Sequence, residues 1–307
     1  MVKVFAPASV ANLAVGYDIL GLAIDGPGDI IEAGFHEGEG LAIREITGDH
    51  GKLPYNPLKN TAGYAGTQLL TFLGKSKIGI YLNIHKKMPF GSGLGSSAAS
   101  AAGAVHAINL LLGQPLKKNE LLKFAVEGEQ IADGAFHADN VAPSLLGGIQ
   151  LIRDNLSLDV IELPVPSDLF VSVIHPKVSI LTKDARDILK GEVPINTVVG
   201  QTGNLAAFIT SLFQEDYELM RRSLQDLWIE PQRAPLIPYF KDIKNIAFKM
   251  DCISCSISGA GPSIFSLFQS KDAATKFGEK SIAFYSSKNL EATHYTSPIN
   301  TVGCKEL

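Results

Sequence analysis

Residues 88–103 read MPFGSGLGSSAASAAG. Glycine and serine dominate the first half of the stretch, serine and alanine the second. Glycines let backbone N–H groups approach a ligand closely because no Cβ intervenes. The first turn of a helix offers N–H donors that lack an intrahelical acceptor, together with a partial positive charge. A glycine-rich loop that feeds straight into a helix therefore makes a cradle for an anion, most naturally phosphate. The alanines beyond Ser97 favour the helix and let it pack closely. The serine hydroxyls at its entry can cap it or bind the metal that accompanies nucleotide phosphates.

The flanks fit this reading. Before the loop, KIGIYLNIH (77–85) alternates Ile78, Ile80, Leu82 and Ile84, a strand with period two. After it, 96–113 reads as a helix stopped by Gly113 with Pro115 beyond, and 117–134 as a second helix with Asn119 as its cap. The helix runs into another helix rather than a strand. That weakens the partial dinucleotide pattern Gly93, Gly95, Ala98, which needs a βαβ unit, and with it an oxidoreductase reading. The pattern G-x-x-x-x-G-K-[ST] fails outright for want of its lysine.

Elsewhere, 3–25 opens as a short strand followed by a loop of small residues, and 28–35 and 40–46 read as strands. The stretch 56–74 has helical spacing, and 137–152 reads as a loop leading into a strand. Prolines in VIELPVPSD (160–168) suggest a domain boundary, dividing the chain into 1–160 and 161–307. The second part holds a strand (169–175), helices over 182–191 and within 197–227, and a strand–glycine turn–strand over 255–268. The fold class expected is α+β with two lobes.

Composition bounds the partners. The 307 residues exceed what one core usually organises. The net charge is −4 and no basic run occurs, which speaks against nucleic acid as a partner. The greasiest stretch, 97–112, contains Ser100, His106 and Asn109 and is too short and polar to span a bilayer, so no membrane is expected. Three cysteines fit a reducing compartment, and with no signal-like start the expected location is cytoplasmic. Cys252 and Cys255 form a C-x-x-C, but the segment reads as a strand that puts the two thiols on opposite faces, and no second pair supports a metal.

Residues 89–99, PFGSGLGSSAA, resemble the phosphate-binding motif P-x-x-x-G-L-G-S-S-A-A of the GHMP kinases, the small-molecule kinases named for galactokinase, homoserine kinase, mevalonate kinase and phosphomevalonate kinase. Five more segments are similar to the homoserine kinase branch: APASVANLAVGYDILGLAID (6–25), GAFHADNVAPSLLGG (134–148), LTKDARDIL (181–189), IEPQRAPLIP (229–238) and SISGAGPSIF (256–265). The resemblance covers essentially the whole chain. It implies an N-terminal lobe with a left-handed βαβ crossover, a ferredoxin-like α/β sandwich as the C-terminal lobe, MgATP as cofactor, and phosphorylation of the side-chain hydroxyl of L-homoserine on the route to threonine. A homodimer is the expected assembly.

Residue by residue, the resemblance assigns ATP to Pro89, Phe90, Gly91, Ser92, Gly93, Leu94, Gly95, Ser96, Ser97, Ala98 and Ala99, with Asn60 on the base side. Mg²⁺ falls to Ser97 and Glu129, with Glu127 close by in register. A free amino acid is a zwitterion: its carboxylate suits a guanidinium, its ammonium a carboxylate. Arg186 and Arg233 are the candidate carboxylate clamps and Asp18 the ammonium partner. The resemblance also places Asn12, His137, Thr182, Gly259 and Gly261 at the substrate pocket. Where some relatives place an aspartate as general base, this chain has the amide Asn140 after Asp139. An amide cannot take the proton at neutral pH, so Asn140 is expected to orient the hydroxyl, with Asp139 in reserve. The opening motif departs from the family at Ala14, where Gly is usual, and at Val10 or Ala11, where Ser is usual. A different small alcohol as substrate, and a non-catalytic nucleotide binder on the same fold, are the competing readings.

Overall fold

The computed structural model describes residues 1–307 except Ala135 and Leu181, and except the side chains of Ala132, Asp133 and Thr182. Along the chain run β1 (Val2–Ala11), β2 (Leu20–Phe35), β3 (Leu41–Thr47), α1 (Thr61–Phe72), β4 (Ile80–His85), α2 (Ser96–Leu111), α3 (Leu122–Asp133), α4 (Val141–Leu146), β5 (Ile149–Asp154) and β6 (Asp159–Leu163). There follow β7 (Phe170–Pro176), α5 (Thr182–Asp187), α6 (Ile195–Gln214), α7 (Tyr217–Ser223), α8 (Ile229–Arg233), α9 (Phe240–Lys249), β8 (Ser254–Ile257), β9 (Ile264–Phe268), α10 (Lys271–Ser287), β10 (Ala292–Pro298) and β11 (Lys305–Glu306).

The first sheet has the path β11-β1-β2-β4-β3. It forks at β2, whose first residues pair with β5 (Leu20↔Leu151) and whose last pair with β4 (Ile30↔His85). β3 and β4 are parallel and are joined through α1. The second sheet has the order β10-β7-β9-β8, all antiparallel. With helices between β7 and β8 and between β9 and β10, it has the βαββαβ connectivity of a ferredoxin-like unit. The α+β class with two sheets stands as expected. A cut at 160/161 would fall inside β6, and the first sheet takes back residues 305–306 as β11.

Several local expectations need correction. The strand read at the start of 3–25 extends to Ala11, and β2 begins at Leu20, where a loop was expected. Residues 141–146, also read as loop, form α4. Asn119 does not cap α3: the helix is entered through a 3₁₀ turn at 118–121, where the Glu120 carboxylate accepts the Lys117 N–H at 2.6 Å. The C-x-x-C thiols do not take opposite faces. Strand β8 starts only at Ser254, and Cys252 and Cys255 both lie in the second core. Burial pushes Cys252 up to about 11 and Cys255 well above its ordinary value, which keeps both protonated.

The alanine helix packs as its composition suggests. α2 lies against β1, β2, α1 and α3. A Cβ at Gly103 would stand 2.6 Å from the Ile31 side chain, so the small residues set a close helix–sheet approach. Among the described residues no helix is long and apolar enough to cross a membrane.

A half-buried base on α2 contributes to the pH dependence of stability. Burial, with Lys118 adding to it, pushes His106 down to about 4. The unfolded state then binds more protons between that value and about 6.5, so stability is full above the unfolded value and is lost as pH falls toward the folded one. Urea unfolding should show a loss of about 1–3 kcal/mol from this group between about pH 7 and about pH 4.5, and His106→Gln should remove that part of the acid loss. Equal acid losses in the two proteins would refute the assignment.

Candidate active site

A cleft of about 440 Å³ lies between the glycine loop, the turn after β1, the segment 137–140 and the turn between β8 and β9. The loop's conformation follows from its hydrogen bonds. Its three successive carbonyls at Ser92, Gly93 and Leu94 accept from Ser263 N (3.1 Å), Ser258 Oγ (2.6 Å) and Ser9 N (3.1 Å). With these carbonyls drawn into the protein, the N–H groups of residues 93–97 have no acceptor among the described residues. Gly95, at φ +64°, begins α2 with no side-chain cap. The result is an anion nest at a helix N-terminus.

The glycines serve packing as well as a ligand. A Cβ on Gly93 would stand 2.4 Å from Ser258 O, and one on Gly95 2.1 Å from Ser9 Oγ and 2.8 Å from Asn140 Oδ1. Four motif positions do not face the cleft. The side chains of Leu94, Ala98 and Ala99 are in the first core, Pro89 is absent from the lining, and the Ala99 N–H donates to Gly95 O at 2.8 Å. These residues shape the loop and seat the helix. Phe90, Gly91, Ser92, Gly93, Gly95, Ser96 and Ser97 do line the cleft.

Asn60 also lines it, but its polar atoms are engaged elsewhere: Oδ1 accepts from Ala62 N (3.1 Å) and Gly63 N (3.3 Å) as the cap of α1, and Nδ2 donates to Pro54 O. Glu129 lines the cleft and Glu127 is not among the lining residues. The Ser97 hydroxyl is buried with no hydrogen-bond partner among the described residues.

At the other end, the expected substrate residues gather, with one unexpected pairing. Arg186 makes a two-pronged contact with Asp18, Nη1–Oδ2 at 3.0 Å and Nη2–Oδ1 at 3.2 Å, across 168 positions of sequence. The expectation gives the two separate ligand groups; in the structure each holds the other. His137 Nε2 lies 3.5 Å from Asp18 Oδ2. Asn12 Oδ1 accepts the Asp18 N–H, and Asn12 Nδ2 donates to Gly259 O, so Asn12 ties the two sheets' loops together. Arg233 is buried, and three of its five N–H donors go to Ala185 O, Gly259 O and the Tyr17 hydroxyl. Gly259 and Gly261 line the cleft, with Gly259 N bonded to Ala11 O. Thr182 contributes backbone to α5, and its side chain lies outside the described residues. Asn140 and buried Asp139 both face the cleft, and Asn140 Oδ1 accepts from Ser9 Oγ at 2.8 Å.

Sequence reading missed the floor of the loop. Lys86 and Asp29, 5% and 0% exposed, form a buried ion pair under the start of α2. Lys86 Nζ also donates to Ser96 O (2.6 Å) and Ser100 Oγ (2.7 Å), while Asp29 Oδ1 accepts the Lys87 N–H at 2.8 Å. Ser9, Ser258 and Tyr17 were missed too. Tyr17 stood inside a quoted motif, next to Asp18.

Comparison with known proteins bears directly on this geometry. The family model for the GHMP kinases N terminal domain matches residues 60–148, and that for the GHMP kinases C terminal matches 208–286. Homoserine kinase of Chlorobium phaeobacteroides is 43% identical over 317 aligned positions, covering 100% of this chain and 99% of that protein. The chain belongs to the GHMP kinase family. The crystal structure of homoserine kinase from Cytophaga hutchinsonii superposes with a TM-score of 0.97 at 45% identity, covering 100% of this chain and 97% of that one. A mevalonate kinase structure, at 17% identity and a TM-score of 0.70, shares the fold. As a GHMP kinase, the protein is an ATP-dependent enzyme that phosphorylates an alcohol. GHMP kinases lack the P-loop lysine, which accounts for the failed P-loop pattern; here the loop presents instead the N–H groups of residues 93–97, which have no acceptor among the described residues.

Proposed function

We propose that this GHMP kinase transfers the γ-phosphoryl group of ATP to the side-chain hydroxyl of L-homoserine. What carries the reading is that one cleft holds an anion nest at one end and two guanidinium groups with one carboxylate at the other. A sugar or isoprenoid alcohol has no ammonium–carboxylate pair to answer that second set of charges. The full-length similarity to homoserine kinases supports the same substrate.

On this reading the nest of residues 93–97 receives the terminal phosphates, and Arg186 and Arg233 receive the amino-acid carboxylate. Asp18 and His137 face the ammonium. Asn140, held by Ser9, orients the hydroxyl. Phosphoryl transfer asks chiefly for positioning and charge neutralisation. The unpartnered Ser97 hydroxyl and the Glu129 carboxylate in the same cleft are oxygen donors of the kind Mg²⁺ prefers, and they would hold it. The metal would supply charge neutralisation at the terminal phosphates. A cytoplasmic homodimer belongs to the same reading.

Coupled ADP release across a panel of small alcohols tests the function. L-homoserine should give the highest kcat/KM. Stimulation by another alcohol with none by L-homoserine would overturn the proposal. The role of Asp139 is tested separately. Asp139→Asn should keep kcat within about threefold, whereas loss of a general base costs about 10²–10⁴-fold. A loss of that size would make Asp139 the base and demote Asn140.

A further inference from the structure

The two arginines at the substrate end come from different helices, Arg186 from α5 and Arg233 from the last position of α8. Like charges this close repel, so something must hold them on a common target. Both reach the same oxygen. Arg186 Nη1 donates to the Tyr17 hydroxyl at 3.1 Å, and Arg233 Nη2 donates to it at 3.3 Å. Both guanidinium groups also lie near the Tyr17 ring, 5.9 and 5.1 Å from its centroid, within the range of cation–π attraction. The Trp228 ring, 6.3 Å away centroid to centroid and tilted by 57°, supports the phenol. A phenol oxygen has two acceptor sites, and here each takes one guanidinium. Tyr17 is not among the residues lining the cleft, so it acts through the arginines rather than on the ligand.

We propose that Tyr17 is a positioning residue whose hydroxyl sets the spacing and aim of the Arg186–Arg233 pair and thereby selects an acceptor that carries a carboxylate beside its alcohol. The inference rests on the proposed function and deepens it: it names what in the protein tells an amino-acid alcohol from a plain amino alcohol. Burial, with Asp18 adding to it, raises the phenol above its ordinary value, so the hydroxyl stays neutral across the working pH range and remains an acceptor of both N–H groups without adding a charge. The ring and the hydroxyl do separable jobs. The ring packs on Trp228 and lies within cation–π range of both arginines, and the hydroxyl is an acceptor that both arginines share.

Tyr17→Phe keeps the ring and removes the acceptor. Steady-state ADP release should be measured for wild type and variant with L-homoserine and with 3-amino-1-propanol, which has the same amine and alcohol but no carboxylate. KM for L-homoserine should rise about tenfold, the scale of a hydrogen bond to a charged group. In contrast, kcat, KM for ATP and KM for 3-amino-1-propanol should stay within about twofold. The preference for the carboxylate-bearing alcohol should therefore shrink about tenfold. A merely structural role would shift both alcohols and ATP together and lower the thermal midpoint, and that outcome overturns the inference. So does an unchanged KM for L-homoserine in a variant of unchanged stability. If wild type itself prefers an alcohol without a carboxylate, the proposed function falls first and the inference with it. If wild type prefers L-homoserine and Tyr17→Phe does too, by the same margin, only the inference falls.

Discussion

Lys86→Met should lower the unfolding free energy by about 3–5 kcal/mol, the range for removing one member of a buried ion pair. The cost comes from what stays behind. Asp29 is fully buried, and without Lys86 its carboxylate keeps only N–H and O–H donors, those of Lys87, Met88, Ser96 and Ser100. The lysine also holds the Ser96 carbonyl, at the first residue of α2. Urea unfolding followed by far-ultraviolet circular dichroism measures the loss. The double variant Lys86→Met/Asp29→Asn should recover a large part of it, because no unpaired charge is then buried. If the single variant lost less than about 1 kcal/mol, the pair would be energetically equivalent to a surface contact and the account of the loop's floor would be wrong. Any Lys86→Met enzyme that remains folded should bind ATP more weakly, because the start of α2 has lost its anchor.

Gly95→Ala should reduce kcat/KM for ATP by about 10²–10³-fold, the scale expected when a catalytic cradle shifts by about an ångström. Two costs combine at this residue. The backbone sits at φ +64°, where an L side chain is strained, and the added methyl would lie 2.1 Å from Ser9 Oγ and 2.8 Å from Asn140 Oδ1. Either the loop moves or the Ser9–Asn140 hydrogen bond opens, and each disturbs a group that faces the cleft. Gly113→Ala is the control. Its φ of +80° brings similar strain, but a Cβ there meets nothing within 4 Å and the site is at the far end of α2. It should cost about 1–2 kcal/mol of stability and leave ATP kinetics unchanged. If both variants lost activity equally, strain alone would explain the effect, and the loop would have no special geometry to protect.

The glycine loop and its helix could be read from residues 88–103 because both signals are local. Glycine and serine set the turn, and alanine sets the close packing of α2 on the sheet. The first half of β2 escaped because Gly26-Pro27-Gly28 punctuates a sequence, whereas the strand runs through it, paired with β1 along most of its length. α4 escaped for a similar reason, with Pro143 inside six residues and two glycines after them. Lys86 was half visible. The period-two alternation of Ile80, Leu82 and Ile84 continues to position 86, so its inward direction lay in the pattern. Its partner did not, because Asp29 meets it only through the long-range register Ile30↔His85. The substrate end shows the same division. Motifs located Asp18 and Arg186, but their mutual pairing and their shared neighbour Tyr17 depend on bringing the turn after β1 against α5.

Strand β11 has a consequence for how the protein is made. Lys305 and Glu306 pair with Phe5 and Val4, Cys304 N bonds Leu145 O, and Leu307 N bonds Lys3 O. The margin of the first sheet is thus completed by residues that follow the whole second sheet in sequence. Until those residues are in place β1 keeps a bare border, open to wrong neighbours. The Ser9 that braces both Leu94 and Asn140 sits on that same strand. The border of the catalytic half is therefore sealed only once the stretch beyond the second sheet has been made, however early its own residues emerge.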